Sequence, residues 1–369
     1  MGFVIWNVHP EMFHLGPVKA AWYGLLFALA FLAGQYVLSK IFKIEGKSEK
    51  DLEAFTFYII IATVVGARLG HCLFYQPDVY LRNPIEILKI WEGGLASHGA
   101  TVGILYATYL YSKRYNVSYL WILDRLVIVV ALGGAFIRMG NLMNSEIIGK
   151  PTNQSYAFVF ANRWIENSFE NYEDNEENTK LGFKKNYTEK GEGKEMMMND
   201  TLLIPLKITT SFDANIADKK QITEFLQKNI PAFYATSGDW KEHIKLHPNP
   251  KFVTTQDGDT IKVTWQAYGI PRHPSQLYES ISTFLLFVLL LSLYYRYKQN
   301  TPEGLLFGLF VVILFTLRIL YEYLKENQVA SEDAIKNAVG MNIGQLLSVP
   351  MVIIGLGVLY KTFTRKQSK

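Results

Sequence analysis

The sequence predicts an all-α polytopic membrane protein of about seven transmembrane helices, with an outward α/β insert between spans four and five. Three observations predict it. Apolar stretches recur at lengths of about 20 residues, enough for a helix to cross ~30 Å of hydrocarbon. Of the 369 residues, 49% are hydrophobic, yet mean hydropathy is barely positive, so the apolar stretches are diluted by one long polar segment. Basic residues cluster just after alternate apolar stretches, as membrane topology signals do.

The spans fall near residues 18–39, 53–75, 95–112, 119–137, 276–295, 304–324 and 343–361. Lys40, Lys43, Lys47 and Lys50 follow the first; Lys113 and Arg114 the third; Arg296 and Lys298 the fifth; Lys361, Arg365, Lys366 and Lys369 the seventh. The positive-inside rule makes those loops cytoplasmic, turning the N-terminus and the loops after spans two, four and six outward and leaving the C-terminus inside. Span one is too long for a signal-peptide core and lacks a small-residue cleavage site, so it reads as retained. Residues 1–150 thus form spans one to four, 151–272 a soluble insert, and 273–369 spans five to seven with a cytoplasmic tail.

Within the insert, Tyr156 to Asn162 alternate like a strand, Thr201 to Phe212 read as an apolar strand, and Lys251 to Tyr268 as a hairpin turning at Asp257-Gly258. Ile222, Phe225, Leu226 and Ile230 recur at helical spacing inside 216–235. Residues 167–195 carry few large apolar groups and many charges, and part of that stretch is expected to be mobile. The insert shares the outward face with the polar groups described next.

Several functions are excluded. The cations form short juxtamembrane clusters rather than a stripe on a soluble domain, so no nucleic acid is expected as a partner. Cys72 is the only cysteine, which removes internal disulfides and cysteine-rich metal sites. His71 beside it does not make a catalytic dyad, because consecutive helical residues point about 100° apart. His243 and His247 have zinc-like spacing but no evident third ligand, and read as a surface pair without metal. A nucleophile elbow, an H-E-x-x-H and a phosphate loop are all lacking, and no cofactor is expected.

The informative residues gather at one depth. Ile137 to Gly149 places a cation, two carboxamides and a carboxylate at the outer end of span four, where lipid does not tolerate them without a partner or a task. Tyr23 in span one, Arg68 and His71 in span two, His98 at the start of span three, His273 to Gln276 opening span five, Arg318 in span six and Gly344-Gln345 opening span seven lie at the same level. Arg318, Tyr321, Glu322 and Lys325 follow i, i+3, i+4 and i+7, so Arg318 and Glu322 share a helix face. Arg138 and Asn141 also face alike, whereas Glu146 falls roughly opposite Asn144 on an ideal helix. A break near Gly140 or Gly149 would let all four converge. Gly93-Gly94 before His98 likewise permits a loop-like approach where protein covers it. Arg68 reads as structurally paired. Guanidinium forks bind phosphate and a histidine can take a proton near neutrality, so a phospholipid headgroup fits the cluster. An anion or lipid transporter competes with an enzyme, but would place its polar groups at the midplane between repeated halves. A scaffold without catalysis would leave His98 replaceable.

These residues resemble the prolipoprotein diacylglyceryl transferase family of the bacterial inner membrane. The family pattern G-R-x-[GA]-N-F-x-N-x-E-x-x-G is matched by Arg138, Gly140, Asn141, Asn144, Glu146 and Gly149, and departs at Ile137 and Leu142. Gly93 to Gly99, Trp22-Tyr23-Gly24, Arg272 to Glu279, Arg318 with Glu322, and Gly344-Gln345 with Ser348 and Pro350 resemble further family segments. Leu314 and Lys325 stand where some members have tyrosine and arginine, and the insert is longer than usual. The resemblance implies transfer of diacylglycerol from phosphatidylglycerol to the lipobox cysteine of a preprolipoprotein, giving a thioether and glycerol phosphate. It implies His98, Arg138 and Arg318 as the catalytic set and Tyr23, Asn141, Asn144, Glu146, Gly149 and Glu322 as the substrate-binding one.

Overall fold

A computed structural model describes residues 2–15, 18–89, 94, 96–325 and 340–367. The chain divides into two compact units, each drawn from several stretches of sequence. One comprises Met1–Leu25, Arg138–Tyr278 and Tyr321–Asp333; the other Leu26–Ile137, Glu279–Leu320 and Ala334–Lys369.

Long helices carry the second unit. In chain order they are α1 (Trp22–Ile44), α2 (Glu49–Phe74), the short α3 (Pro77–Arg82), α4 (Ser97–Arg114) and α5 (Tyr119–Met143), then after the insert α9 (Ser275–Tyr297), α10 (Leu305–Glu322) and α11 (Ile343–Gln367). Each expected span is therefore a helix. Six are long and apolar enough to cross a membrane among the described residues; Ser97–Arg114 is not among them. That helix, rich in Gly, Thr, Ser and Tyr, instead lies tightly along α2. A Cβ on Gly66 would come 2.5 Å from the Gly99 carbonyl oxygen, and one on Gly103 would come 2.5 Å from that of Ala62. Lipid gives apolar helices no hydrophobic reason to associate, so close backbone approach at small residues supplies the attraction.

The end of α1, the start of α5 and the end of α9 meet in this unit. Arg125, fully buried near the start of α5, donates to Glu45 just after α1 at 2.7 Å, and the Tyr294 hydroxyl near the end of α9 donates to the same carboxylate at 3.1 Å. Asp124 accepts the backbone N–H groups of Gly304 and Phe307 at 2.7 and 2.8 Å, satisfying donors that the first turn of α10 leaves open. Ser48 and Asp51 form a reciprocal capping box at the start of α2.

The first unit contains the insert: β4 (Phe158–Val159), α6 (Ala161–Asp174), β5 (Phe183–Lys190), β6 (Met196–Met198), β7 (Thr201–Asp213), α7 (Lys219–Thr236), α8 (Gly238–His243), β8 (Ile244–Leu246), β9 (Val253–Asp257) and β10 (Thr260–Gly269). Three short strands precede α1: β1 (Val4–Ile5), β2 (Glu11–Leu15) and β3 (Val18–Ala21). The main sheet runs β5-β7-β10-β8, with β6 on β7 and β9 on β10. Alternation along β7 and β10 turns Leu206, Ile208, Val263 and Trp265 into a core with Phe169, Leu226 and Trp240.

The strand at 201–212, the hairpin at 257–258 and the helix inside 216–235 match the sequence reading. Two expectations need correction. Only Phe158–Val159 of the stretch 156–162 is strand, because Ala161 begins a helix whose Ile165 and Phe169 are buried. The segment 167–195 holds most of α6 and all of β5, joined by the ring contacts of Phe169, Phe183 and Phe212. His243 is buried, not a surface residue: it ends α8 and stacks on Trp164 at 5.0 Å, while His247 stacks separately on Tyr268.

Candidate functional site

The signature residues occupy the first unit, where α5 ends. Arg138, Asn141 and Gly140 lie on its last two turns, and the helix stops at Met143. The chain then turns through two non-glycine residues in the left-handed region, Ser145 at φ +54° and Ile147 at φ +55°. This is where the expected break occurs, rather than at either glycine. A β-branched residue in that region is a true outlier, and such a residue costs about 1 to 3 kcal/mol and persists only where its surroundings impose the conformation.

The surroundings are visible. Ser275 Oγ donates to the Ile147 carbonyl at 2.6 Å, and Gln276 Nε2 donates to the Glu146 carbonyl. Gly149 donates to the His273 carbonyl at 3.0 Å, its own carbonyl accepts from the buried Arg272 guanidinium at 3.1 Å, and the next residue donates to Leu324 at 2.7 Å. Gly149 is thus enclosed by main chain on two sides, and a Cβ there would lie 2.7 Å from the His273 oxygen and 3.0 Å from that of Leu324.

With the loop so held, Glu146 comes back under the end of α5. Arg138 Nη1 donates to Asn141 Oδ1 at 3.3 Å; Asn141 Nδ2 donates to one Glu146 carboxylate oxygen at 3.1 Å, and Asn144 Nδ2 to the other at 3.2 Å. A guanidinium, two carboxamides and a carboxylate form one chain of directed bonds. Gly140 faces the Tyr23 ring so closely that a Cβ would sit 2.7 Å from the ring edge, which brings Tyr23 to the same helix end. Glu322 pairs with the buried Lys325 at 3.6 Å, and Lys325 bridges by main chain to Gly149. Seven of the residues picked from the sequence therefore stand in one unit, six of them at the end of α5 and Glu322 linked to it through Lys325.

His98 and Arg318 belong to the second unit. His98 is exposed in the first turn of α4, and Arg318 is half-buried near the end of α10. Gly93 lies outside the described residues. Gly94 has φ +71°, and its carbonyl accepts from Arg68. Arg68 is structural in the sense expected: Nε donates to the Ile87 carbonyl at 2.9 Å, Nη2 to that of Glu86 at 2.6 Å, and the guanidinium lies over Tyr80. His71 stacks on Tyr75, while Cys72 is fully buried.

Sequence reasoning named Arg272 only as part of a family segment, and Ser275 and Gln276 besides only as polar residues opening span five. Their work on the Glu146 loop had one legible sign, a polar Ser-Gln pair opening an apolar helix. Partial burial lowers the pKa of His273, beside them, and its Nδ1 meets the Tyr278 hydroxyl at 3.2 Å.

Comparison with known proteins bears on this arrangement. The family model described as prolipoprotein diacylglyceryl transferase matches residues 10–361. Proteins named phosphatidylglycerol–prolipoprotein diacylglyceryl transferase are similar along their whole length. The one from Chloroherpeton thalassium is 33% identical over 99% of this chain and 96% of its own. That from Tolumonas auensis is 35% identical over 96% and 95%, and that from Porphyromonas gingivalis 30% over 97% and 94%.

Proposed function

The chain belongs to the prolipoprotein diacylglyceryl transferase family, and from that membership we propose that it moves the diacylglyceryl group of phosphatidylglycerol onto the lipobox cysteine thiol of preprolipoproteins. It is a transferase and a multi-pass membrane protein. The thiol sulfur attacks the glyceryl carbon that bears the phosphate ester; a C–S bond forms, the C–O bond breaks, and glycerol phosphate leaves with the oxygen and the electron pair.

A free thiol with a pKa near 8.5 is mostly protonated at neutral pH, so a base that accepts its proton raises the reactive thiolate. His98 takes that role. Charge grows on the departing phosphate, and guanidinium groups stabilise it best where water is scarce; Arg138 and Arg318 do so. Tyr23, Asn141, Asn144, Glu146, Gly149 and Glu322 bind the headgroup or orient the arginines. The observation that carries this reading is the bonded chain Arg138–Asn141–Glu146–Asn144, made by the family's own signature residues on a strained loop.

The positive-inside pattern supports an inner-membrane location with the site and the insert outward, the N-terminus outward and the C-terminus cytoplasmic. It also supports α4 as a seventh span, shielded by α2, and the division into 1–150, 151–272 and 273–369.

Purified protein, phosphatidylglycerol vesicles and a lipobox peptide test the proposal, with glycerol phosphate release as readout. Release by the unaltered chain, lost in Arg138→Ala and reduced about 10²- to 10⁴-fold in His98→Ala, is expected. No release from the unaltered chain removes the function; undiminished release in His98→Ala removes the base.

A further inference from the structure

The tip of the β6–β7 hairpin, β6 with the turn that follows it, plays no part in the transfer chemistry and stands outside the insert's core. Met196, Met197 and Met198 are 43%, 58% and 50% exposed, and because strand side chains alternate they emerge on both faces. The reversal is made by Asn199 and Asp200, both left-handed at φ +48° and +61°, as a tight two-residue hairpin turn requires.

Strand register fixes where the hairpin points. Ile204 of β7 pairs with Gly269, the last residue of β10, after which the chain proceeds to α9, an apolar helix beginning at Ser275. From Ile204 back to Asp200, β7 continues the same way, by about 13 Å at ~3.3 Å per residue. The hairpin thus extends past the end of β10, the end from which the chain proceeds to α9. Asn153, shortly after Gly149, holds it there: its Nδ2 donates to the Asp200 carbonyl and its Oδ1 accepts from Leu202 N, each at 3.0 Å. Met198 shares a cavity of about 230 Å³ with Pro151, Lys241, Glu242, Lys245 and Arg272; Pro151 and Arg272 belong to the segments that join the insert to α5 and α9.

We propose that the Met196–Met198 hairpin seats in the headgroup–acyl boundary of the outer leaflet, tying the insert to an anionic bilayer surface. Methionine is flexible, apolar and adaptable, which suits an irregular lipid surface. Interfacial elements bury their apolar groups about 5 to 10 Å into that boundary. Lys241 and Lys245 on the cavity wall give anionic headgroups a counter-charge, and the polar turn stays among headgroups with Asn153. The inference rests on the outward placement of the insert, not on the transfer reaction.

The full chain in phosphatidylglycerol-containing nanodiscs, spin-labelled through Met197→Cys, tests it by power saturation. Labelling the unaltered chain accounts for the buried Cys72. Two reference labels are Gln256→Cys, at the opposite end of the sheet, and Leu285→Cys, on the exposed side of α9. Expected is oxygen accessibility above that of a water-soluble nickel chelate at 197 and 285, and the reverse at 256. Nickel accessibility dominating at 197 while 285 reports lipid overturns the proposal, including the case where 197 becomes protected only on adding a lipobox peptide, which would make the hairpin a substrate dock. Nickel dominating at 285 as well overturns it through the membrane reading, whatever the transfer assay shows.

Discussion

Gln276 donates its side-chain amide to the main-chain carbonyl of Glu146, the residue between left-handed Ser145 and Ile147. A side chain at the start of α9 thereby sets the backbone that brings the signature carboxylate back to Asn141 and Asn144. Ser275 does the same one carbonyl further on. Strain stored at Ser145 and Ile147 is offset by these nonlocal bonds, an arrangement common where a site must be fixed before substrate arrives.

Gln276→Leu should therefore lower kcat while leaving the apparent KM for lipid nearly unchanged. A buried carbonyl left without its donor costs about 1 to 3 kcal/mol, and if the loop spends that energy in misplacing Glu146 the rate falls roughly 5- to 150-fold. Adding Ile147→Gly makes the left-handed turn cheap again and should recover part of the loss. Steady-state transfer assays on the single and double variants decide it; no recovery would mean that Gln276 acts through something other than the loop.

Gly140→Ala and Gly149→Ala should both impair transfer, the second more. At Gly140 the new methyl meets the Tyr23 ring, which can swing aside at the expense of its position in the site. At Gly149 it meets the main chain of His273 and Leu324, which cannot yield without breaking the bonds that hold the loop. Overpacking of this kind costs about 1 to 3 kcal/mol, occasionally more. Thermal denaturation separates the two: a clear loss of stability for Gly149→Ala, and for Gly140→Ala a loss mainly of rate.

Much of this was legible because local rules govern it. The periodic apolar stretches became helices, and alternation gave the strand from Thr201 and the hairpin at Asp257-Gly258. The left-handed turn at Ser145 and Ile147 was not legible, since neither residue favours that conformation and the bonds enforcing it come from Ser275 and Gln276, over a hundred residues away. Asn162 and Glu166 are polar residues that are nonetheless buried: Asn162 Oδ1 accepts from Asn186 Nδ2 at 2.7 Å, and the Glu166 carboxylate accepts from Asn186 N at 3.3 Å. Composition alone could not reveal those partners.

Arg68→Lys should loosen the segment between α2 and α4. The guanidinium serves the carbonyls of Glu86, Ile87 and Gly94 at once and lies on Tyr80, whereas an ammonium is a point charge without the planar fork. Hydrogen–deuterium exchange over 79–89 should accelerate about five- to tenfold, on the order of 1 kcal/mol of local stability, with α9 unaffected. Unchanged exchange there would show that other contacts hold the segment.

Acid should destabilise the insert through His243. Burial first, and then the nearby Arg272 guanidinium, hold its pKa well below the ordinary 6.5. Its neutral ring stacks on Trp164. Above the unfolded-state value both states are neutral and stability is complete. As pH falls below that value, the unfolded chain binds a proton that the folded one refuses, and stability declines by up to ~1.4 kcal/mol per pH unit until the folded group also titrates. His243→Phe keeps an aromatic ring against Trp164 and removes the proton. Between about pH 7 and about pH 5 the unaltered insert should therefore lose more thermal stability than the variant, followed by tryptophan fluorescence. Equal losses in both would assign the acid sensitivity to other groups; the buried Glu166, whose carboxyl is shifted upward by burial, moves stability in the opposite direction as pH falls.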